Sequence, residues 1–417
     1  MAREMKHSGI KWIGEIPYDW KILPNKFIMH KVKEICPIYN GEDILSLSVK
    51  GVNIRDLDAG GKMPTSFNGY QRVYAGNLLM CLFDIDVTPC CIGRVKNNGL
   101  TSPAYSQFVV HSNANRDYFY YYYLMLDNTK ELVHLAKNLR HSITEEQLGN
   151  IKIILPPISE QQAIANFLDA KCAEIDGLLE DLDKEVKTLA EYKKSIIAET
   201  VTRGLNPNVI LVPTNHGWID KIPQHWGMEK FRYKLRARRV SGLGDKQVLS
   251  VYREYGVIPK DSRDDNHNVT SEDTSKYKYV RPNDFVINKM KAWQGSMGVS
   301  EHEGIVSPAY FVYEFIDNDY YPRYFHYFMR NANNIPEYRR LSGGIREGQW
   351  DLSPYDLGNM PIIIPPKEEQ KQIVDFLDEK CKAIEDSISD KLLQIDKLKE
   401  YKASLIYEYV TGKKQVI

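Results

Sequence analysis

The chain carries a long internal duplication, which restricts its architecture more than any other feature. Residues 148–176 (LGNIKIILPPISEQQAIANFLDAKCAEID) recur 209 positions later as residues 357–385 (LGNMPIIIPPKEEQKQIVDFLDEKCKAIE), with 16 of 29 positions identical. Three shorter matches accompany the repeat: WIGEIPYDW at 12–20 with WIDKIPQHW at 218–226, SPAY at 102–105 with SPAY at 307–310, and LAEYKKSIIAETVT at 189–202 with LKEYKASLIYEYVT at 398–411. The period is too long for a solenoid, so the pattern predicts a tandem duplication with a pseudo-two-fold plan.

The matches divide the 417 residues into four predicted segments. Two are globular domains, at 1–157 and 206–366, and two are helical, at 158–205 and 367–417. Strand-like runs at 78–87, 107–110, 284–293 and 311–315, with aromatic-rich helices at 117–139 (capped by Asp117) and 320–334, predict an α/β, mixed α+β, content. The predicted fold is therefore two duplicated globular domains separated by two long antiparallel coiled-coil helices.

The helical segments carry a heptad pattern. Leu or Ile recurs every seven residues from Leu168 to Ile196, and the second copy keeps most of this seam from Leu377 to Leu405, with an interruption at Lys391. A narrow apolar seam in charged sequence predicts a coiled coil, and two copies related by a two-fold would pair antiparallel. The alternative interpretation is an amphipathic helix that lies on its own domain.

A proline pair precedes each helical segment and blocks an earlier helix start. Ser159 stands three residues before Gln162, which is capping-box spacing, whereas Glu368 replaces this serine in the second copy and predicts a weaker cap. Residues 159–203 as one helix would span about 68 Å at ~1.5 Å per residue.

Composition and motifs exclude several classes of protein. No run of eighteen apolar residues and no apolar leader segment occur, so no membrane span or signal peptide is expected. The six cysteines form no CxxC pair, which disfavours a zinc site or disulfide framework and favours a reducing cytoplasm. The sequence has no GxxxxGK[ST] loop and no GxGxxG turn, and we find no nuclease or adenine-methyltransferase signature. Asp84 and Asp86 are close together, but a turn is the favoured interpretation.

Nucleic-acid binding has better support, although the net charge is zero. The run 230–239 alternates basic with apolar residues and predicts a strand with one basic face for phosphates; the alternative is a solvated edge strand. The segment 288–295 (NKMKAWQG) mixes basic, aromatic and amide groups. In the loop 341–350 (LSGGIREGQW) an arginine could contact guanine and a glutamine adenine, and residues 138–142 are its first-half equivalent.

For each of these residues a structural or solvated role is the competing interpretation, and the Tyr121–Tyr123 run in particular is expected to lie mostly in the core. The candidate DNA-contacting residues are Lys289, Lys291, Trp293, Gln294, Arg346, Gln349, Arg94, Lys96, Arg140, His141, Arg232, Lys234 and Arg236.

The combined motifs resemble the specificity subunits (HsdS family) of type I restriction-modification systems over the whole chain. The motifs that carry the resemblance are the Pro-Pro-x-x-Glu-Gln entrances at 156–161 and 365–370, the Ile-x-x-Phe-Leu-Asp helix starts, the SPAY pair and the Trp-Ile-x-x-Ile-Pro-x-x-Trp openings. The resemblance implies two target recognition domains that each read one half of a split double-stranded DNA target. It implies helices that set the spacer between the half-sites and dock two modification (methyltransferase) subunits.

The same resemblance implies that this chain is not a catalyst and binds no cofactor or metal. S-adenosylmethionine would belong to the modification subunits, and ATP and Mg²⁺ to restriction subunits, in a bacterial or archaeal cytoplasm and away from membranes. The implied docking and spacer-helix residues are Glu160, Gln161, Phe167, Leu168, Glu369, Gln370, Phe376 and Leu377. The proline pair and the Glu-Gln that follows it are interpreted as a hinge point that fixes the direction in which each helix leaves its domain. Two other functions stay open on the sequence: a self-contained DNA methyltransferase or nuclease, and a coiled-coil scaffold with no nucleic-acid role.

Overall fold

The computed structural model describes residues 3–58, 64–136, 141–243, 245–263, 270–271, 273–344 and 350–416. The chain forms two compact units: unit 1 consists of Met1–Asp183 with Leu393–Ile417, and unit 2 is Lys184–Leu392. Each unit therefore combines one globular domain with the first part of the long helix that follows it and the last part of the other long helix. This grouping differs from the four predicted segments because both long helices are shared between the units.

Unit 1 contains the helices α1 (Arg116–Asn128), α2 (Glu145–Asn150) and the first part of α3 (Ile158–Arg203). Its strands are β1 (Met5–His7), β2 (Glu15–Pro17), β3 (Lys21–Pro24), β4 (Met29–Val32), β5 (Glu34–Ile35), β6 (Leu45–Ser48), β7 (Gly51–Ile54), β8 (Gln71–Val73), β9 (Leu78–Met80), β10 (Ile92–Arg94), β11 (Gly99–Thr101), β12 (Ser106–Val110) and β13 (Lys152–Leu155).

Unit 2 contains α4 (Phe231–Lys234), α5 (Pro322–Arg330), α6 (Ile335–Arg340), α7 (Pro354–Asn359) and the first part of α8 (Lys367–Val410). Its strands are β14 (Leu211–His216), β15 (Ile219–Pro223), β16 (Gly227–Lys230), β17 (Leu235–Ala237), β18 (Leu249–Tyr252), β19 (Gly256–Pro259), β20 (Lys278–Val280), β21 (Phe285–Asn288), β22 (Met297–Val299), β23 (Gly304–Val306), β24 (Tyr310–Phe315), β25 (Ser342–Gly343), β26 (Asp351–Leu352) and β27 (Pro361–Ile364).

Both units are built on the same four-stranded antiparallel sheet. The strand order is β10-β9-β12-β4 in unit 1 and β22-β21-β24-β17 in unit 2. The central strands β9 and β21 are buried along their whole length, and an aromatic helix, α1 or α5, contributes to the core of each unit. The mixed α+β content and the duplication are confirmed. Tyr121, Tyr122 and Tyr123 are all buried, as expected for core residues.

Several element boundaries differ from the prediction. The strands predicted at 78–87 and 284–293 end early, at Met80 and Asn288. Both continuations are turns that bury only some of their apolar residues, such as Leu82, Ile85 and Ala292, whereas Val87 and Met290 are exposed. Burial of single side chains selects apolar residues without requiring extended backbone. The predicted helix at 117–139 ends at Asn128, and its cap is Asn115, whose side chain accepts from the backbone N–H of Tyr118, rather than Asp117. The helix predicted at 320–334 is shorter as well (Pro322–Arg330).

The single basic strand predicted at 230–239 is wrong. The run contains the end of β16, the helical turn α4 and the strand β17. Phe231 and Leu235 are both buried, and their spacing of four residues suits a helical turn, which places both on one side. The basic side chains of the run consequently do not share one strand face.

The two long helices pair antiparallel within each unit. In unit 1 the rings of Phe167 and Tyr409 lie 4.4 Å apart, and Asp176 forms an ion pair with Lys402 at 2.6 Å. In unit 2 Lys193 pairs with Glu385, which is the same contact displaced by 209 positions. Residue numbers rise along one helix as they fall along its partner, so the predicted antiparallel pairing is confirmed inside each unit.

The helix seam is buried most deeply where it also meets a globular domain. Leu168 and Ile175 belong to the core of unit 1, whereas Leu182 and Leu189 are only half-buried. The coiled-coil and domain-packing interpretations therefore each describe part of the helix. Lys391 interrupts the second seam without breaking the helix, because it forms an ion pair with Glu185.

Within the described residues, no helix is both long and apolar enough to cross a membrane.

In unit 2 Arg330 binds the helix α5 to the strand β22 and to the turn between β18 and β19. Its guanidinium donates to the carbonyls of Met297 (2.8 Å), Arg253 (2.8 Å) and Glu254 (2.8 Å). One turn earlier, His326 accepts from the backbone N–H of Val299. Burial lowers the pKa of His326 to about 3, and the nearby arginine charges add to this effect.

This histidine should make unit 2 sensitive to mild acid. Because the unfolded imidazole binds a proton below pH 6.5 and the folded one only near pH 3, stability is lost as the pH falls through this window. We expect the free energy of unfolding to drop by about 2 kcal/mol between pH 7 and pH 5 on account of His326. Urea unfolding at both pH values would measure it. The variant His326→Asn should lose that share of the pH dependence, and equal pH slopes for the two proteins would contradict the assignment.

Candidate nucleic-acid interface

The start of α3 is fixed by two adjacent side chains. The buried Gln161 donates to the carbonyl of Pro156 (2.8 Å) and accepts from the backbone N–H of Asn115 (2.7 Å), the residue that caps α1. Glu160 accepts from the indole N–H of Trp20 at 2.9 Å. The Glu-Gln pair thus ties the long helix to the aromatic helix and to the opening tryptophan motif of the same unit.

The start of α8 repeats this arrangement. Gln370 donates to Pro365 (2.8 Å) and accepts from the backbone N–H of Tyr321 (2.7 Å), the residue before α5. Glu369 accepts from the indole N–H of Trp226 at 2.9 Å. The predicted capping box at Ser159 is wrong, because α3 begins at Ile158 and this serine lies inside the first turn.

A tyrosine–aspartate bond holds the aromatic helix to the long helix one to two turns further on. In unit 1 Tyr121 donates to Asp169 (2.7 Å), and Arg94 at the end of β10 pairs with Asp169 (2.8 Å) and Asp117 (3.1 Å). Although burial opposes it, the two carboxylates raise the pKa of Arg94. Arg94 is therefore engaged inside the unit, and its predicted DNA contact has no support from this position.

Unit 2 has the same tyrosine–aspartate bond, but the arginine that pairs with the aspartate comes from a different element. Tyr327 donates to Asp378 (2.5 Å), and the paired cation is Arg323 of α5 itself (3.0 Å). Arg323 also reaches Glu301 in the loop after β22, at 2.8 Å. The hydrogen bond is retained between the units, whereas the arginine has moved from the strand to the helix.

The end of each long helix closes the domain of the other repeat. Tyr118 donates to the carbonyl of Val410 (2.9 Å) in unit 1, and Tyr324 donates to that of Val201 (2.8 Å) in unit 2. After α8 the chain turns at Gly412, which has a φ of +73°; a Cβ there would lie 2.5 Å from Pro17 Cδ. A side chain at this position is excluded by both backbone conformation and space.

These contacts correct the predicted docking set. The side chains of Gln161, Leu168, Gln370 and Leu377 are buried in their own units. Buried side chains cannot contact a partner, so the docking role is wrong for these four, whereas the predicted hinge at each helix start agrees with the bonds of Gln161 and Gln370. For the half-buried Glu160, Phe167, Glu369 and Phe376, docking stays a prediction.

Four of the predicted DNA-contacting cations form ion pairs with neighbouring carboxylates: Arg94, Lys234, Arg236 and Lys289. Lys234 is buried beside Asp319 and Asp317, and these hydrogen bonds raise its pKa to about 12. Arg236 pairs with Glu314 at 2.5 Å.

Three predicted cations are exposed and pair with no carboxylate among the described residues: Lys96, Lys291 and Arg232. Arg232 lies 5.2 Å from the ring centroid of Tyr233, which is itself exposed. These side chains are available to DNA phosphates or bases. Arg140, Arg346 and Gln349 lie outside the described residues.

A compact aromatic and basic cluster surrounds the turn after β21, in which Trp293 is buried and Trp350 is half-buried. The rings of Trp293 and Trp350 lie 5.6 Å apart, with Arg339 of α6 over Trp293 at 5.5 Å. Lys289 forms an ion pair with Asp351 at 2.9 Å, and Lys291 beside them is exposed. The structure thus brings three of the predicted residues of this segment together with a second tryptophan.

Two members of this cluster, Arg339 and Trp350, could not be predicted from the sequence. Arg339 lies 46 positions from Trp293 and follows no motif. Trp350 ends the predicted loop, but nothing local shows that its ring meets another tryptophan. Gln294, next to Trp293, is half-buried.

The described residues include no group of three or more His, Cys, Asp or Glu side chains that could hold a metal ion. The six cysteines are free thiols, five of them buried.

Comparison with known proteins identifies one family. The model of the type I restriction modification DNA specificity domain matches residues 83–188 and 243–394. A curated protein of Methanocaldococcus jannaschii, named "Putative type I restriction enzyme MjaX specificity subunit", is 24% identical over 443 aligned positions, covering 97% of this chain and 96% of its own length.

Two solved structures share the fold. One is a chain in a structure that concerns complex assembly and conformational transition of the type I R-M system, with a TM-score of 0.67, 14% identity and coverage of 96% of this chain and 99% of that chain. The other is the HsdS subunit from Thermoanaerobacter tengcongensis, with a TM-score of 0.50, 14% identity and coverage of 96% and 98%.

The buried glutamine can be tested by truncation. Gln370→Ala leaves the Tyr321 N–H and the Pro365 carbonyl without their partner, so we expect a loss of roughly 1–3 kcal/mol in the free energy of unfolding. Chemical denaturation would measure it. Gln372→Ala removes an exposed glutamine from the same helical turn and should change stability by less than about 0.5 kcal/mol. Equal effects of the two substitutions would contradict the stabilising role of the Gln370 hydrogen bonds.

Proposed function

The chain belongs to the type I restriction-modification DNA specificity family, and from this premise we propose that each unit reads one half of a bipartite double-stranded DNA target. Specificity subunits are the non-catalytic, DNA-recognising members of their systems, so the chain itself is not an enzyme. The observation that carries the proposal is the contrast between the units. Both units have the same four-stranded sheet and the same buried glutamine and tyrosine–aspartate bonds to the long helix, while their exposed side chains differ.

The two long helices would set the number of base pairs between the half-sites. Each unit binds the start of one helix through a buried glutamine and the end of the other through a tyrosine. Because each domain is bound to both helices of the pair, its orientation relative to the helix axis is fixed. Half-site spacing then follows from helix length, as it follows from protein geometry in other two-fold readers.

The partners in this proposal are DNA, two modification subunits and restriction subunits, in the cytoplasm. The modification subunits would bring S-adenosylmethionine and methylate adenine, and the restriction subunits would use ATP and Mg²⁺. This chain would supply the target sequence and the assembly surface.

In this proposal, exposed apolar side chains on the helices form the docking surface in place of the buried residues. Tyr192 and Tyr401 are equivalent positions, 209 residues apart, and are 53% and 55% exposed. Leu392 and Leu393 are about as exposed. Tyrosine is enriched at protein–protein interfaces relative to the rest of the surface, which favours a partner at the two equivalent tyrosine positions.

A matched insertion tests the spacer. Seven residues inserted between Asp183 and Lys184, together with seven between Leu392 and Leu393, would lengthen both helices at the unit boundaries by about 10 Å and preserve the pairing inside each unit. We expect the methylated target to keep both half-sites with a gap about three base pairs longer.

The control for this experiment is the insertion in α3 alone, which shifts one helix against the other and should abolish assembly. If the matched variant assembles and methylates the original target with the original gap, the helices do not set the spacer.

Single tyrosine variants test docking. Tyr192→Ser and Tyr401→Ser each remove one exposed ring, so each should reduce the modification subunits per chain from two to one, and the double variant should bind neither. Native mass spectrometry of the purified complex would count them. Tyr18→Ser, which removes an exposed ring from the globular part of unit 1, should leave the count at two; an unchanged count in the double variant would exclude this surface.

A further inference from the structure

Each unit has a turn after its central strand that meets the segment before α2 or α7. We call this turn and segment the tip: residues 82–88 with 141–143 in unit 1, and 289–294 with 350–352 in unit 2. Three backbone hydrogen bonds of the first tip recur in the second: Cys81 N to Cys91 O (2.9 Å) as Asn288 N to Ser296 O (3.0 Å), Val87 N to Asp84 O (3.2 Å) as Gln294 N to Lys291 O (3.0 Å), and Ile143 N to Leu82 O (2.9 Å) as Leu352 N to Lys289 O (3.1 Å). The two tips are therefore equivalent in backbone structure.

The equivalent side chains have opposite chemistry. The exposed Asp84 of unit 1 occupies the position of the exposed Lys291 in unit 2. A second difference involves two residues. In unit 1, His141 Nε2 lies 4.0 Å from Asp86 Oδ2, and the equivalent positions in unit 2 hold Trp350 and Trp293. The backbone of the tip is thus the same in both units, while the charge at the position of Asp84 and Lys291 is reversed. Two domains that recognise different DNA sequences require such a difference.

The tip of unit 1 also holds backbone in an uncommon conformation. Asp84 has a φ of +48° and His141 a φ of +42°, two of five such non-glycine residues in the part of the chain that the structure describes. They lie together, because the N–H of Ile85 donates to the carbonyl of His141 at 3.3 Å, and Ile85 is fully buried beneath them. Residues held in this region against their preference concentrate at functional sites.

The imidazole is placed by packing as well. His141 Nδ1 is buried and has no hydrogen-bond partner among the described residues. The other ring nitrogen, Nε2, faces the exposed Asp86 carboxylate. An N–H at Nε2 would orient this carboxylate once DNA is bound. Asp84, Asp86 and His141 then present two acceptors and one orienting group.

We propose that the tip is the base-reading element of each unit, and that the tip of unit 1 reads a base with an exocyclic amino group. This inference rests on the proposed function of half-site recognition. Carboxylates are repelled by phosphates, but they accept hydrogen bonds from the N4 amino group of cytosine in the major groove, and adenine offers an amino group at N6. In unit 2, the exposed Lys291 donates to the O6 and N7 acceptors of guanine, beside the half-buried Trp350. The half-sites thus differ: one contains a required amino-bearing base and the other a required guanine.

The test uses the full chain in complex with its modification subunits. Genome-wide mapping of methylated adenines gives the target, and binding is then measured with duplexes that carry one substituted base pair at a time. The variants are Asp84→Asn, Asp86→Asn and Lys291→Gln; asparagine keeps the size of aspartate and tolerates the left-handed backbone at position 84. Glu15→Gln, an exposed carboxylate on β2 of unit 1, is the matched control.

We expect Asp84→Asn and Asp86→Asn to lower discrimination at one base pair of one half-site by about tenfold to a hundredfold, and to leave the other half-site unchanged. Lys291→Gln should do the same at a guanine of the other half-site, and Glu15→Gln should change neither. An unaltered target in both aspartate variants would overturn the inference, and so would an equal loss of affinity for every duplex. A wild-type complex with no bipartite target would instead overturn the proposed function.

Discussion

The structure depends on one buried carboxamide at the entrance to each long helix. Gln161 and Gln370 each satisfy a carbonyl of the proline pair and the N–H of the residue before an aromatic helix. Leaving either group unpaired in the interior would cost about 1–3 kcal/mol, so the bond specifies one direction for the long helix relative to the domain. The aromatic helix contributes to the core of the same unit, and the tip follows the central strand of its sheet. A single side chain therefore relates the helix pair to the surface that we propose reads DNA.

This dependence explains which residues are duplicated and which differ. The Glu-Gln pair, the tryptophan of the opening motif and the tyrosine–aspartate bond recur in both units with nearly the same distances. The arginine that supports the aspartate has moved from Arg94 on a strand to Arg323 on a helix. At the tip, even the sign of the charge changes, from Asp84 to Lys291. Contacts that fix the geometry are retained, and contacts that face outward are variable.

The sequence predicted the features whose signals are local. The heptad seam and the proline pairs gave two long helices that begin at Ile158 and Lys367, and the repeats gave two similar domains. Long-range contacts left no such signal. The glutamines were predicted at a hinge and in a docking set, and their burial rules out docking. The basic run at 230–239 was predicted as one strand but contains a helical turn. The pairing of Trp293 with Trp350 and of Asp86 with His141 depends on segments more than 50 residues apart. The equivalence of the two pairs lies in the backbone hydrogen bonds of the two tips, which no local sequence pattern encodes.

The central claim is that two units of one chain read two different half-sites at a fixed distance. The most direct measurement is a map of methylated adenines in a genome that is modified by the complex containing the wild-type chain. The account predicts one bipartite target whose two specified parts differ in sequence and are separated by a constant number of unspecified base pairs. A single uninterrupted target, or specified halves at variable distances, would contradict it.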